Sequence, residues 1–164
     1  MADTKISALS AKTTLTGNDE FPITDSAAAN ATKRIIWTNL MAQAAAFTQT
    51  LTNKRITPRV GSTASSATPT INTDSYDIYR LTALAAAITS FTTNLSGTPT
   101  HGQKLLIEIT DNGTARAITW GASFASTDVG TLPTTTTLSK MMRVGFFWDS
   151  ADSTWDCQFV SEEV

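Results

Sequence analysis

The stretch Lys104–Trp120, KLLIEITDNGTARAITW, decides how the chain is read. Leu105, Ile107 and Ile109 fall on one face of a period-two ribbon, while Lys104, Glu108 and Thr110 look elsewhere. Asp111-Asn112-Gly113 supplies residues that tolerate positive φ, as a tight turn between twisted strands requires. Ala115–Trp120 then resumes a strand-like run with Ile118 and Trp120 on one face. The pattern predicts a β-hairpin, with the rest of the chain built to cover and carry it.

Composition agrees with a β protein. At 164 residues the chain can hold one full domain plus an appendage. A domain of about 150 residues hides about 70% of its unfolded surface, so a core forms without disulfides. Charged residues make up 16%, against roughly 25% in ordinary globular domains. Serine and threonine fill the gap with 46 residues, and threonine, branched at Cβ, packs well on a pleat. The net charge of -2 argues against nucleic-acid binding or an anionic-membrane surface. The N-terminal MADTKISALSAK has no apolar signal region, and no run reaches the roughly 18 apolar residues of a membrane span. Synthesis in the cytosol without an export signal is the expectation.

Residues 1 to about 36 read as short extended pieces joined by turns, among them Phe21–Asp25 and Thr32–Ile36. They carry too little apolar surface for a core of their own. Residues 38–52 read as the one helix, with Thr38 or Asn39 as its cap. Trp37, Leu40, Ala44, Phe47 and Leu51 are spaced 3-4-3-4, either an amphipathic face lying on a sheet or an oligomer seam. Residues 58–70, bracketed by Pro58 and Pro69, read as a linker between an N-terminal module (1–57) and a β domain (71–164). In that domain Met142, Val144, Phe146 and Trp148 alternate on one face. Trp155, Cys157 and Phe159 do the same, and Leu81–Ile88 is assigned to strand. About six to eight short antiparallel strands predict a mainly β fold, a sandwich or jelly-roll-like domain preceded by a small β-turn and helix module.

No constellation for chemistry emerges. His101 is the one histidine, in a loop, without the paired nucleophile and carboxylate of a triad. Asp149, Asp152 and Asp156 lack a calcium-loop pattern, and aspartates are common at hairpin tips. Glu108 and Asp111 form a carboxylate pair of unfixed separation. Gly97 and Gly102 are isolated and cradle no phosphate. Cys157 is alone and reads as a small core residue. Trp120, Trp148 and Trp155 sit in strand registers, as core or subunit contacts or, less usually, as a platform for sugar rings. The chain is expected to be neither an enzyme nor a cofactor or metal binder.

Two groups of strings then carry a resemblance. Thr4–Leu9 (TKISAL), Leu15–Asp25 (LTGNDEFPITD) and the TKRI-x4-L of Thr32–Leu40 resemble an N-terminal module of tailed-bacteriophage fibre and appendage proteins. Leu81–Ala87 (LTALAAA), Ser96–Leu105 (SGTPTHGQKL), Asp111–Gly121 (DNGTARAITWG), Leu132–Thr136 (LPTTT) and Asp149–Asp156 (DSADSTWD) are similar to a β-rich C-terminal module of phage virion proteins. The resemblance implies a virion protein made in the host bacterial cytoplasm. It implies a homotrimer, as head fibre, capsid decoration or tail fibre, with the N-terminal module attached to capsid or tail proteins and the C-terminal module displayed outward. Ile6, Leu9, Phe21, Ile23 and Ile35 are the anchoring positions on that view. The rival expectation is a receptor- or glycan-binding tip that meets host surface sugars, with the Gly121–Thr137 loop as its contact.

Overall fold

The computed structural model describes residues 14, 16–25, 31–46, 53 and 55–164, with 21–25 and 31–33 as backbone. The chain divides into two compact units, Met1–Arg55 and Ile56–Val164. The described residues are mainly β with one short helix, as the composition leads one to expect. Among them no helix is long and apolar enough to cross a membrane.

In the first unit, β1 (Glu20–Asp25) and β2 (Ala31–Ile36) pair antiparallel, with Pro22 opposite Arg34. Helix α1 (Trp37–Ala46) follows β2 without a break. Its start is held differently from the predicted cap. The Trp37 N–H donates to Asp19 O at 2.7 Å, and the Thr38 hydroxyl turns back to Gly17 O at 2.8 Å. The turn before β1 therefore takes up donors that a capping side chain would otherwise satisfy. The last predicted turn of the helix, 47–52, lies outside the described residues.

The second unit is organised by a six-stranded sheet in the order β3-β5-β7-β9-β10-β8. Its strands are β3 (Val60–Thr63), β5 (Ile78–Leu84), β7 (Lys104–Asp111), β9 (Met141–Asp149), β10 (Thr154–Glu162) and β8 (Phe124–Ala125). The expected all-antiparallel pairing is corrected here. β3, β5 and β7 run parallel, β7-β9-β10 antiparallel, and β8 parallel to β10. Parallel neighbours need long crossovers. The crossovers at 64–77 and 85–103 each carry a short strand, β4 (Ile71–Asn72) and β6 (Leu95–Ser96), which pair parallel with each other. The chain thus winds β3-β4-β5-β6-β7 as a short two-sided coil before the β9–β10 hairpin closes the sheet. Residues 58–70 are consequently no free linker, because they contain β3.

The hairpin read at Lys104–Trp120 is also corrected. The turn exists: Gly113 has φ 88° and donates its N–H to Asp111 Oδ1. Beyond it, however, the chain leaves the sheet, and β7 takes β9 as its antiparallel partner. Ala117 and Ile118 make isolated bridges to Thr135 and Ile88. The strand assigned to Leu81–Ile88 ends at Leu84, where the Ala85 N–H turns to the Ser65 hydroxyl.

One face of the sheet is core. Leu105, Ile107, Ile109, Met142, Val144, Phe146, Trp155 and Cys157 are all buried there, each large aliphatic contributing about 1.5–3 kcal/mol. What covers them is the coil and the 112–140 connection, not a second extended sheet. Trp120 stacks on Phe91 at 4.6 Å and meets Phe146 at 5.3 Å, and Phe124 meets Phe146 at 5.1 Å. The Gly121–Thr137 segment, expected as the contact loop of a binding tip, is tied to the domain at several points. Trp120 Nε1 donates to Pro133 O, and the Thr127 hydroxyl to Cys157 O. Phe124, Gly130 and Thr136 are the segment's buried residues, while Ala122, Ser126, Asp128 and Val129 stay exposed.

Candidate functional site

The other face of the sheet has no element of its own unit over it. Its outward positions are Ile78 and Arg80 on β5, Lys104, Leu106 and Glu108 on β7, and Arg143, Gly145 and Phe147 on β9. Arg80, Glu108 and Arg143 are register partners across three strands. Glu108 accepts from Arg80 Nε at 2.8 Å and from Arg143 Nε at 3.1 Å, and its side chain is 16% exposed against 42% and 37% for the arginines. One carboxylate between two guanidinium groups leaves the row with excess positive charge.

Beside this row the face becomes apolar. A groove of about 310 Å³ is lined by Pro58, Ile78, Leu106, Gly145, Phe147 and Phe159, with Lys104 at its rim. The Lys104 ammonium sits 5.6 Å from the Phe147 ring centre, a cation-π distance. Phe159 reaches the groove through a β-bulge, since the register of β10 against β9 shifts between Cys157 and Phe159. Strict alternation would put Phe159 in the core with Trp155 and Cys157. The extra residue, Gln158, sends it to the open face, where it lies opposite Gly145. A Cβ at position 145 would come within 2.2 Å of the Phe159 ring, so glycine makes room for the aromatic. Phe147 and Phe159 are 42% and 47% exposed. Sequence reasoning missed both; the signal available for Phe147 was its place opposite the alternating core set of β9.

Of the predicted seam, Trp37 and Ala44 are half-buried on α1 and Leu40 is exposed, while Phe47 and Leu51 lie outside the described residues. Of the predicted anchors, Ile35 is half-buried on β2, and Phe21 and Ile23 are placed on β1 as backbone. Ile6 and Leu9 lie outside the described residues.

The candidate chemical groups fall in several places, with His101, Asp149 and Asp156 near one another at the β9–β10 hairpin. Glu108 and Asp111 lie on opposite faces of β7, the first on the open face and the second buried. His101 takes Ser150 N, Ser150 Oγ (both 3.3 Å) and Asp149 Oδ1 (3.7 Å) on the same nitrogen, Nδ1. A triad needs nucleophile and carboxylate on opposite nitrogens. Cys157 is buried, and desolvation pushes its thiol above the ordinary value despite a backbone hydrogen bond to Phe159. Among the described residues no three His, Cys, Asp or Glu side chains gather as for a metal ion.

Comparison with known proteins returned no match: not to a protein-family model, not to a curated protein, and not to a solved structure.

Proposed function

We propose that the chain is a non-enzymatic structural component of a phage virion. It acts as a short trimeric fibre or decoration protein, anchored to capsid or tail by its N-terminal module and presenting the β domain. The observation that carries the reading is the face of the sheet that no element of its own unit covers. Sheets with parallel strands are ordinarily covered on both faces. Here one face carries Ile78, Leu106, Phe147 and Phe159 beside the Arg80–Glu108–Arg143 row. Contiguous exposed apolar surface rimmed by polar groups marks a contact site. A cyclic assembly of identical copies would cover it without leaving open ends. The hydroxyl-rich, charge-poor composition suits a protein whose working state is an assembly. The resemblance of the Leu15–Asp25 and Asp111–Gly121 strings to phage virion modules supplies the setting.

The test is the mass of the full chain in solution by light scattering. Three times the 17.5 kDa chain mass is expected. A single-chain mass across the accessible concentration range would overturn self-assembly.

A further inference from the structure

A second concavity, of about 190 Å³, lies where the 97–103 loop meets the β9–β10 hairpin. His101, Gly102, Phe147, Asp149, Asp156 and Gln158 line it, with Trp148 behind. Three segments are locked together to build it. The Gly102 N–H donates to Trp148 O and the Trp148 N–H to Gln103 O, both at 2.9 Å, tying the loop to β9. Asp156 is the register partner of Phe147, and the bulge leaves Gln158 without a register partner on β9.

The polar atoms left over decide what can bind. Asp156 Oδ1 accepts from the Thr154 hydroxyl at 2.8 Å, and Asp149 Oδ1 accepts from Ala151 N at 2.8 Å. The second oxygen of each carboxylate has no protein partner among the described residues, and neither has Gln158 Oε1, since Gln158 uses Nε2 toward Asp156 O. Ser150 N–H donates to His101 Nδ1, which leaves the neutral ring's proton on Nε2 as a donor. Gly102 has φ 77°, and open space lies where its Cβ would be. Two carboxylates disfavour anionic ligands such as phosphates or acids. The volume is below the roughly 300 Å³ at which pockets admit drug-sized molecules. Converging acceptors and donors beside an exposed aromatic ring match a neutral polyol: hydroxyls give and take hydrogen bonds at the rim while the C–H face of the ring lies on Phe147.

We propose that this cleft holds a single pyranose unit of a neutral carbohydrate. Asp149 and Asp156 accept from its hydroxyls, Gln158 and His101 complete the set, and Phe147 forms the apolar wall. His101, Asp149 and Asp156 stand outside the apolar groove, while Phe147 and Gln158 line both concavities.

The experiment is an amide-detected NMR titration of the isotope-labelled full chain with methyl galactopyranoside, methyl glucopyranoside and N-acetylglucosamine. At least one sugar should give saturable shifts, in the millimolar range, at Gly102 N–H and the Gln158 side-chain amide. Asp156→Asn and Asp149→Asn should each weaken that binding about tenfold or more, the cost of losing a hydrogen bond to a charged acceptor. Unchanged urea midpoints in these variants would establish that the fold is intact. Absence of saturable shifts with all three sugars overturns the proposal, as does binding indifferent to both substitutions. Calcium shifting the same amides when no sugar does would also overturn it, in favour of a cation site.

Discussion

Asp111 ends β7 facing inward, and it organises the long connection that follows. It accepts hydrogen bonds from Gly113 N, Ser139 N and the Thr136 hydroxyl. Burial acts to raise its pKa; these hydrogen bonds and the Arg116 charge more than reverse that, holding the carboxyl below its ordinary value. A group whose folded pKa is depressed contributes stability that is full above the unfolded pKa, near 3.8, and is lost as pH falls through the folded value. Chemical denaturation should therefore find this contribution unchanged between pH 7 and 5 and shrinking below about pH 4. Asp111→Ala leaves Thr136 and Ser139 N without an acceptor and should cost about 1–3 kcal/mol in urea titrations at neutral pH. The pH dependence should be correspondingly flatter in that variant. Cys157 gives a simpler check. Its thiol should not react with an aromatic disulfide reagent in the native protein and should react at once in denaturant, being buried and kept protonated.

At the scale of the element, the 121–137 segment and strand β10 behave as one piece. Gly130 lies against Cys157, and a Cβ there would stand 2.5 Å from the Cys157 carbonyl oxygen. Backbone cannot swing aside as a side chain can. Gly130→Ala should therefore destabilise by about 1–3 kcal/mol, read from the shift in urea midpoint. Gly145→Ala offers the contrast, since its new methyl would meet the rim of an exposed Phe159 ring. The ring can swing away, so the expected loss is smaller, with the groove reshaped. The bulge that places Phe159 is invisible to an alternation count. Trp155 and Cys157 obey the period, and one additional residue then reverses every later side chain.

For the whole molecule, the open face gives a prediction that separates folding from assembly. Leu106→Asp lies outside the core cluster and should leave the circular-dichroism signature of the folded β domain unchanged in the absence of denaturant. The same variant should lower the mass of the full chain in light scattering, because a charge would be buried in the contact. An unchanged trimer mass would shift the contact from this face to the N-terminal unit. The Arg59–Asp77 pair at the entrance to the β domain is a minor matter for assembly. It is bidentate, at 2.6 and 3.1 Å, but half-exposed and therefore weak.

The sequence by itself determined the class of the fold and most of its inner face. The alternation of Leu105, Ile107 and Ile109, and of Met142, Val144 and Phe146, marks residues that are all buried on one side of one sheet. This is legible because side-chain alternation is a property of a single strand, set by its own backbone. The site was less legible: Glu108 and Arg143 stood in the right register, but nothing local tied them to Arg80 or joined Phe147 to Phe159. Tertiary structure alone decided that β7 takes β5 and β9 as partners in place of Ala115–Trp120, and that β3, β4, β5 and β6 coil in parallel. Those outcomes depend on which distant segments can bury Phe91, Trp120 and Phe124 together. The free energy of that burial belongs to the assembled core and to no single stretch of the chain.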